Sequence, residues 1–385
     1  MTKEYSPDYV QTYLDKLKIP YFIIDTEILD FIITKREHDN WESTITQFFN
    51  NLFKIGFNQS FNQPLVIYYR EPITEEILEL IHTYIRNQCG NIENIVFITT
   101  LSVGLKRYYK NFCQLHSTRG FNIIEVPWLT WDQKYVPEET EKQLYQLPKK
   151  ENIQSLFSFY GGTYEVKIPE RTIMTLFASR YADIAQVESM TKAAEWQEVE
   201  NYLEYLTYFV DVDLINKYRL DYNRSVDNGS YVIPQLIKTE SQIFNETFNR
   251  QGPQWQVDSK SFFSLIRETI CTQNFYILTE KTMRCFFHGI AVLPIHGANI
   301  IDDLEDMGYV INRNLIDYSY LKEENLVYRL ESLGTQLDSI KQNLNFDDLY
   351  QIWLDNYDQF AYNCNYLLKN HKTQTILPRL DNYFK

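Results

Sequence analysis

Apolar positions fall along the chain in two rhythms, short unbroken runs and longer stretches with a single apolar face. Tyr21–Ile24 is a short run and Leu65–Tyr69 a stronger one, closed by Pro72. A helix start follows: Thr74 is placed to cap, Glu75 and Glu76 suit the positive helix end, and Ile77, Leu78, Ile81, Tyr84 and Ile85 share one face. Ile95–Ile98 and Phe121–Val126 read as the next strands. Strand, helix and strand at this spacing predict a parallel sheet with crossover helices.

Charged, proline-bearing sequence from Pro137 to Lys150 interrupts the pattern and reads as a linker. The alternation then resumes. Leu156–Phe159 predicts a strand ending at Gly161 and Gly162, and Pro169 opens a helix through about Tyr181. Residues 185–255 show no clear period. Beyond them come a strand at Phe262–Ile266, a helix from Thr279, a strand at Ala291–Ile295, a helix at Asn299–Gly308, and helical sequence from Lys322 nearly to Asn370. The simplest architecture is an α/β chain with two Rossmann-like halves, residues 1–150 and 151–320, followed by a helical tail, residues 321–385.

Composition narrows the function classes. With 385 residues, 44% hydrophobic and 23% charged, the chain reads as globular rather than disordered. Its 30 Tyr and 24 Phe fit either an AT-rich coding sequence or a carbohydrate-stacking surface. A net charge of −14 disfavours a nucleic-acid partner or an anionic membrane unless a local basic patch exists. No apolar segment has the length of a signal peptide or of a membrane span. The five cysteines form no CxxC or Cys/His cluster, which predicts neither disulfides nor structural zinc and places the chain in a reducing cytoplasm, the host's if the source is viral.

The most informative residues lie in Leu278–Thr282. With Thr279 as cap, Lys281 falls in the first helical turn, where the macrodipole disfavours a cation by about 0.3–1 kcal/mol. An anion docked at that helix start would repay the cost, since a helix N-terminus and a lysine together make a phosphate site. Glu280 beside it suits a ribose diol; the competing reading leaves Glu280 and Lys281 as solvated surface. Arg171, in the first turn opened by Pro169, repeats the anomaly, and an ordinary surface pair with Glu170 competes there.

From Phe262 to Tyr320 the chain resembles a viral glycosyltransferase family related to the α-1,3-fucosyltransferases. The likeness rests on Arg267-Glu268-Thr269, on Thr279-Glu280-Lys281-Thr282, on His288 to Ile295 with Gly297, and on Leu304–Tyr309 and Ile316–Tyr320. With Arg171, which stands where the family often has an arginine opening the first helix of its C-terminal domain, the likeness spans about a third of the chain. It implies a GT-B-like architecture, two Rossmann-like domains facing a cleft, with a sugar nucleotide bound by the C-terminal one. Carried over, Glu280 holds the donor ribose, Lys281 and Arg171 hold the diphosphate, and Glu268 faces the base, ribose or sugar; Thr279, at the cap position, is counted with them among the donor-binding residues. Tyr318 and Leu321 stand where relatives often have acidic residues, so no role carries over there.

The expected activity is metal-independent transfer of a sugar from a nucleotide-sugar donor to a hydroxyl of a carbohydrate or other acceptor, without a cofactor. Glu71, just past the Leu65–Tyr69 run, is the preferred base over Asp132. Tyr68, Tyr69, Trp128 and Trp131 are candidate stacking surfaces in the first half, with burial in the core as the competing reading. Asp211 and Asp213 have the spacing of a metal-binding pair but are expected to be polar surface. Two readings compete with the main one: a viral enzyme glycosylating hydroxymethylated DNA bases, and a transferase-like module without activity.

Overall fold

The computed structural model describes residues 9–19, 21–24, 65–69, 73–88, 92–99, 102–126, 150–160, 169–181, 183–188, 196–227, 261–268, 274–278, 280–370, 380, 381, 383 and 384. The fold is mixed α/β. Two compact units each hold a four-stranded parallel sheet. One unit comprises Met1–Lys134, Thr269–Thr279 and Asn370–Lys385, the other Tyr135–Glu268 and Glu280–Lys369. The expected division at residue 150, with a separate tail from 321, therefore differs from the observed one, because the chain passes between the units four times.

In the first unit the elements run α1 (Tyr9–Lys16), β1 (Tyr21–Ile24), β2 (Leu65–Tyr69), α2 (Glu75–Gln88), β3 (Ile95–Thr99), β4 (Ser102–Val103), α3 (Leu105–Leu115) and β5 (Asn122–Glu125). The sheet order is β1-β2-β3-β5, the order of the chain itself. Side chains alternate between two cores, as the period of a strand requires. Ile67, Tyr69, Phe97 and Ile123 pack with Leu78, Ile81, Ile85 and Tyr109 on one side. Val66, Tyr68, Val96, Ile98 and Ile124 pack with Val10, Leu14 and Leu380 on the other. Leu380 and a 2.6 Å hydrogen bond from Tyr13 to Asp381 anchor the end of the chain to this unit. Thr74 Oγ1 accepts from the Ile77 N–H at 3.3 Å, so the expected cap of α2 forms. Tyr68 and Tyr69 are 3% and 1% exposed, because β2 is covered on both faces, and neither ring is open to a ligand. Trp128 and Trp131 lie outside the described residues. A late two-residue strand, β9 (Tyr276–Ile277), pairs antiparallel with β4.

The second unit contains β6 (Ser155–Tyr160), α4 (Pro169–Ser179), β7 (Ala185–Glu188), α5 (Trp196–Leu206), α6 (Val212–Asp227), β8 (Ser261–Ile266), α7 (Glu280–His288), β10 (Ala291–Pro294), α8 (Ile300–Asp306), α9 (Leu326–Asn343), α10 (Phe346–Asp355) and α11 (Tyr357–Asn370). Its sheet order is β10-β8-β6-β7. The winding therefore runs from β6 outward to β7, then reverses across β6 to β8 and on to β10. Every residue of β8 and β10 is buried, which is why both read as largely apolar runs, interrupted in β8 by serine. The serines within β6 and β8 satisfy one another, Ser155 with Ser261 at 2.6 Å and Ser158 with Ser264 at 3.2 Å. Helix α9 approaches α4 at Gly334: the Tyr181 hydroxyl donates to its carbonyl at 3.1 Å, and a Cβ there would stand 3.0 Å from that hydroxyl.

Strand β10 lies at the sheet edge, where unpaired carbonyls invite association. Three side chains cover it. Tyr318 donates to the Val292 carbonyl and Tyr320 to the Pro294 carbonyl, each at 2.9 Å, and Arg329 donates to the Ile295 carbonyl at 2.5 Å. Tyr318 thus has a definite structural role, and Leu321, 1% exposed, belongs to the core. Replacing Tyr320 by Phe strands a buried carbonyl and is expected to cost about 1–3 kcal/mol. Urea denaturation measures this, and a loss of only a few tenths would contradict the capping role. No described helix is long and apolar enough to cross a membrane.

Candidate functional site

In open parallel sheets, ligands gather beyond the carboxyl ends of the strands where the winding reverses. Among the described residues the first sheet has no reversal and the second has one, between β6 and β8. The segment after β6, residues 161–168, lies outside the described residues. After β8 come Arg267 and Glu268; after β10 come Ile295, His296 and Gly297. The Ile295 N–H donates to the Ile266 carbonyl at 3.0 Å, one rung beyond the β8–β10 ladder, so these two segments leave the sheet side by side. Gly297 has φ of 76°, a left-handed turn that favours glycine directly after His296.

Helix α7 begins at Glu280, with Thr279 immediately before it and Lys281 as its second residue, as expected. Thr282, in the same first turn, donates its hydroxyl to Glu268 at 2.6 Å. Glu268 is 2% exposed. A buried carboxyl group is therefore hydrogen-bonded to the first turn of α7, the turn that holds Lys281. Glu268 ties the end of β8 to the first turn of α7, a positioning link that sequence spacing alone does not reveal. Lys281 is half-buried.

Other expected residues fall as follows. Arg171 is the third residue of α4, which opens at Pro169 as the sequence predicts. Its side chain, those of Glu280 and His288, and the whole of Thr279, Glu71 and Asp132 lie outside what is described. Asp211 is exposed and caps α6, its Oδ1 accepting from the Asp213 N–H at 2.8 Å and the Leu214 N–H at 3.4 Å. The Asp-x-Asp spacing thus arises from helix capping. Among the described residues no group of three or more His, Cys, Asp or Glu side chains is arranged to hold a metal ion.

The charge balance at the strand ends is set by Arg267, part of the Arg267-Glu268-Thr269 motif, by His296, which the sequence places beside the site with a core or surface role competing against a phosphate contact, and by Arg329, which motif reading does not single out. Arg329 is 2% exposed and spends its fork on backbone, donating from Nε to the Glu323 carbonyl at 2.9 Å and from the other nitrogens to the Glu323 and Ile295 carbonyls. It fixes the chain entering the His296 turn. His296 is half-buried overall, but its Nε2 is enclosed and has no hydrogen-bond partner among the described residues. Burial, then the charges of Arg267 and Arg329, push its pKa well below the usual histidine value, so its imidazole is neutral. Arg267 and His296 each stand within two residues of a parallel strand's carboxyl end, a signal available once the strands are assigned. Arg329, inside a helix among leucines, gives no such signal.

In the first unit, His82 is also held neutral by burial and by Arg86, with its Nδ1 2.6 Å from the Tyr109 hydroxyl. Both histidines have folded pKa values below the unfolded one, so the unfolded chain binds more protons as acid is added. Stability is expected to be full above the unfolded histidine value, about pH 6.5, and to fall as pH drops below it toward the lowered folded values. Urea midpoints across that range test this, and a flat profile would contradict it.

No protein-family model, curated protein or solved structure matches the chain.

Proposed function

We propose that this protein is a glycosyltransferase whose nucleotide-sugar donor binds beyond the carboxyl ends of β6 and β8. The observation that carries the reading is the winding reversal of the second sheet, with Lys281 in the first turn of α7 beside the Glu268–Thr282 link. The resemblance of residues 262–320 to the fucosyltransferase-related viral family supplies the chemistry. On that reading Glu280 takes the donor ribose, and Lys281 and Arg171 take the diphosphate. The reaction's main electrostatic demand is the negative charge developing on the leaving diphosphate, which fixed cations and helix N-termini can stabilise without a metal. The acceptor hydroxyl, on a carbohydrate or another molecule, belongs to the first unit of a GT-B arrangement, with Glu71 as its base.

A thermal-shift panel of UDP-, GDP- and dTDP-sugars tests the proposal directly. A donor at about a hundred times its Kd adds about 2.7 kcal/mol to stability and raises the melting temperature. A flat panel, with no sugar nucleotide shifting the midpoint, would refute the donor site. Full activity in EDTA is expected; activity lost in EDTA and restored by Mn²⁺ would refute the metal-free mechanism.

A further inference from the structure

We infer that Arg267 and His296 form a phosphate-binding pair, His296 presenting an imidazole N–H to one phosphate oxygen and Arg267 its guanidinium to another. The inference rests on the donor-site reading for the identity of the phosphate, which would be the leaving diphosphate of the nucleotide sugar. The pair itself rests on three observations.

The first is the enclosed Nε2 of His296, which has no hydrogen-bond partner among the described residues. An unsatisfied buried polar atom costs about 1–3 kcal/mol, and such atoms in native proteins call for a ligand or a bound water. The second is placement. Arg267 and His296 follow two adjacent strands, β8 and β10, whose chains leave the sheet side by side after the Ile295–Ile266 rung, and β8 borders the winding reversal. The third is rigidity. Arg329 holds the Ile295 carbonyl, Tyr320 holds the Pro294 carbonyl, and Gly297 makes the turn, so His296 is oriented before any ligand arrives.

Phosphate fits better than a neutral ligand. Two guanidiniums, Arg267 and Arg329, act on His296, and their positive field favours an anion there over a neutral sugar hydroxyl. A guanidinium fork also matches the oxygens of a phosphate. The neutral imidazole then donates a hydrogen bond without adding a third buried charge.

The test is calorimetric titration of the full chain with inorganic pyrophosphate, UDP and GDP. His296→Leu and Arg267→Gln are each expected to weaken pyrophosphate and the preferred nucleoside diphosphate by about tenfold or more, the effect of a hydrogen bond to a charged group. Arg267→Lys should retain part of the affinity. Should His296→Leu fail to fold, the two Arg267 variants and the wild type carry the comparison. Wild-type affinity for nucleotide with no change in any variant overturns the pair and leaves the donor reading standing. Pyrophosphate binding without nucleotide binding, still sensitive to the variants, supports the pair and removes the donor reading. Binding of neither by the wild type overturns both.

Discussion

Arg180→Met is expected to destabilise the second unit by about 3 kcal/mol, as breaking one side of a largely buried ion pair does. Arg180 follows α4 and is 13% exposed. Its Nε donates to Asp221 of α6 at 2.5 Å, its NH1 donates to Glu331 of α9, and its guanidinium lies over the Tyr218 ring, 4.2 Å from the centroid. Three helices thus meet on one cation. Glu331 receives a further bond from Lys217 at 2.8 Å, and although burial opposes its charge, Lys217 and Arg180 together hold its pKa below the ordinary carboxylate value. Removing Arg180 takes from Asp221 and Glu331 the cation they share, while Lys217 still reaches Glu331. Lys217 is about half exposed, so the loss falls toward the low end of the range for buried pairs. Replacing Arg180, Asp221 and Glu331 together by apolar residues should recover much of it, since what costs most is the uncompensated carboxylates. Urea denaturation of the single and triple variants distinguishes the cases. A single-variant loss below about 1 kcal/mol would mean that the cluster is ornamental surface.

How far the sequence reveals this fold depends on whether a feature is local. Strands β2, β3, β6, β8 and β10 are legible to within a residue or two, because a strand buried on both faces is a near-continuous apolar run. The Thr74 cap and the Pro169 helix start are legible for the same reason. Helices α5 and α6 are not. Leu203, Leu206, Ile215 and Tyr218 face the core, but Tyr205, Tyr208, Phe209, Val212 and Leu220 are exposed, so apolar residues surround both helices and hide the 3.6-residue period. The tail reads as one helical stretch although Asn345 breaks it, accepting from the Asp347 and Asp348 N–H groups in a capping box. The return of residues 269–279 and 370–385 to the first unit is invisible locally, because it depends on which core accepts Leu380 and Phe275. The site divides in the same way. Lys281 at a helix start follows from spacing, whereas the Glu268–Thr282 link depends on α7 packing at the end of β8, and the adjacency of Arg267 to His296 on β8 pairing with β10.

Lys281→Ala is expected to weaken donor binding by about 1.5–3 kcal/mol, roughly tenfold to 150-fold. In the free protein a cation in the first turn of α7 opposes the helix dipole, at about 0.3–1 kcal/mol. In the donor complex the same cation would meet the diphosphate, and a hydrogen bond between charged groups is about twice as strong as a neutral one. A residue kept for stability gives a different pattern, with melting temperature falling and ligand affinity following it. The measurement is therefore a pair, a melting curve without ligand and a calorimetric titration with the sugar nucleotide that the thermal panel selects. Unchanged affinity would remove Lys281 from the donor site and return it to solvated surface. A lowered melting temperature with a proportionate loss of affinity would assign it to the fold instead. Equal losses for the sugar nucleotide and for its free nucleoside would also refute the diphosphate role, because only the phosphates should sense this charge.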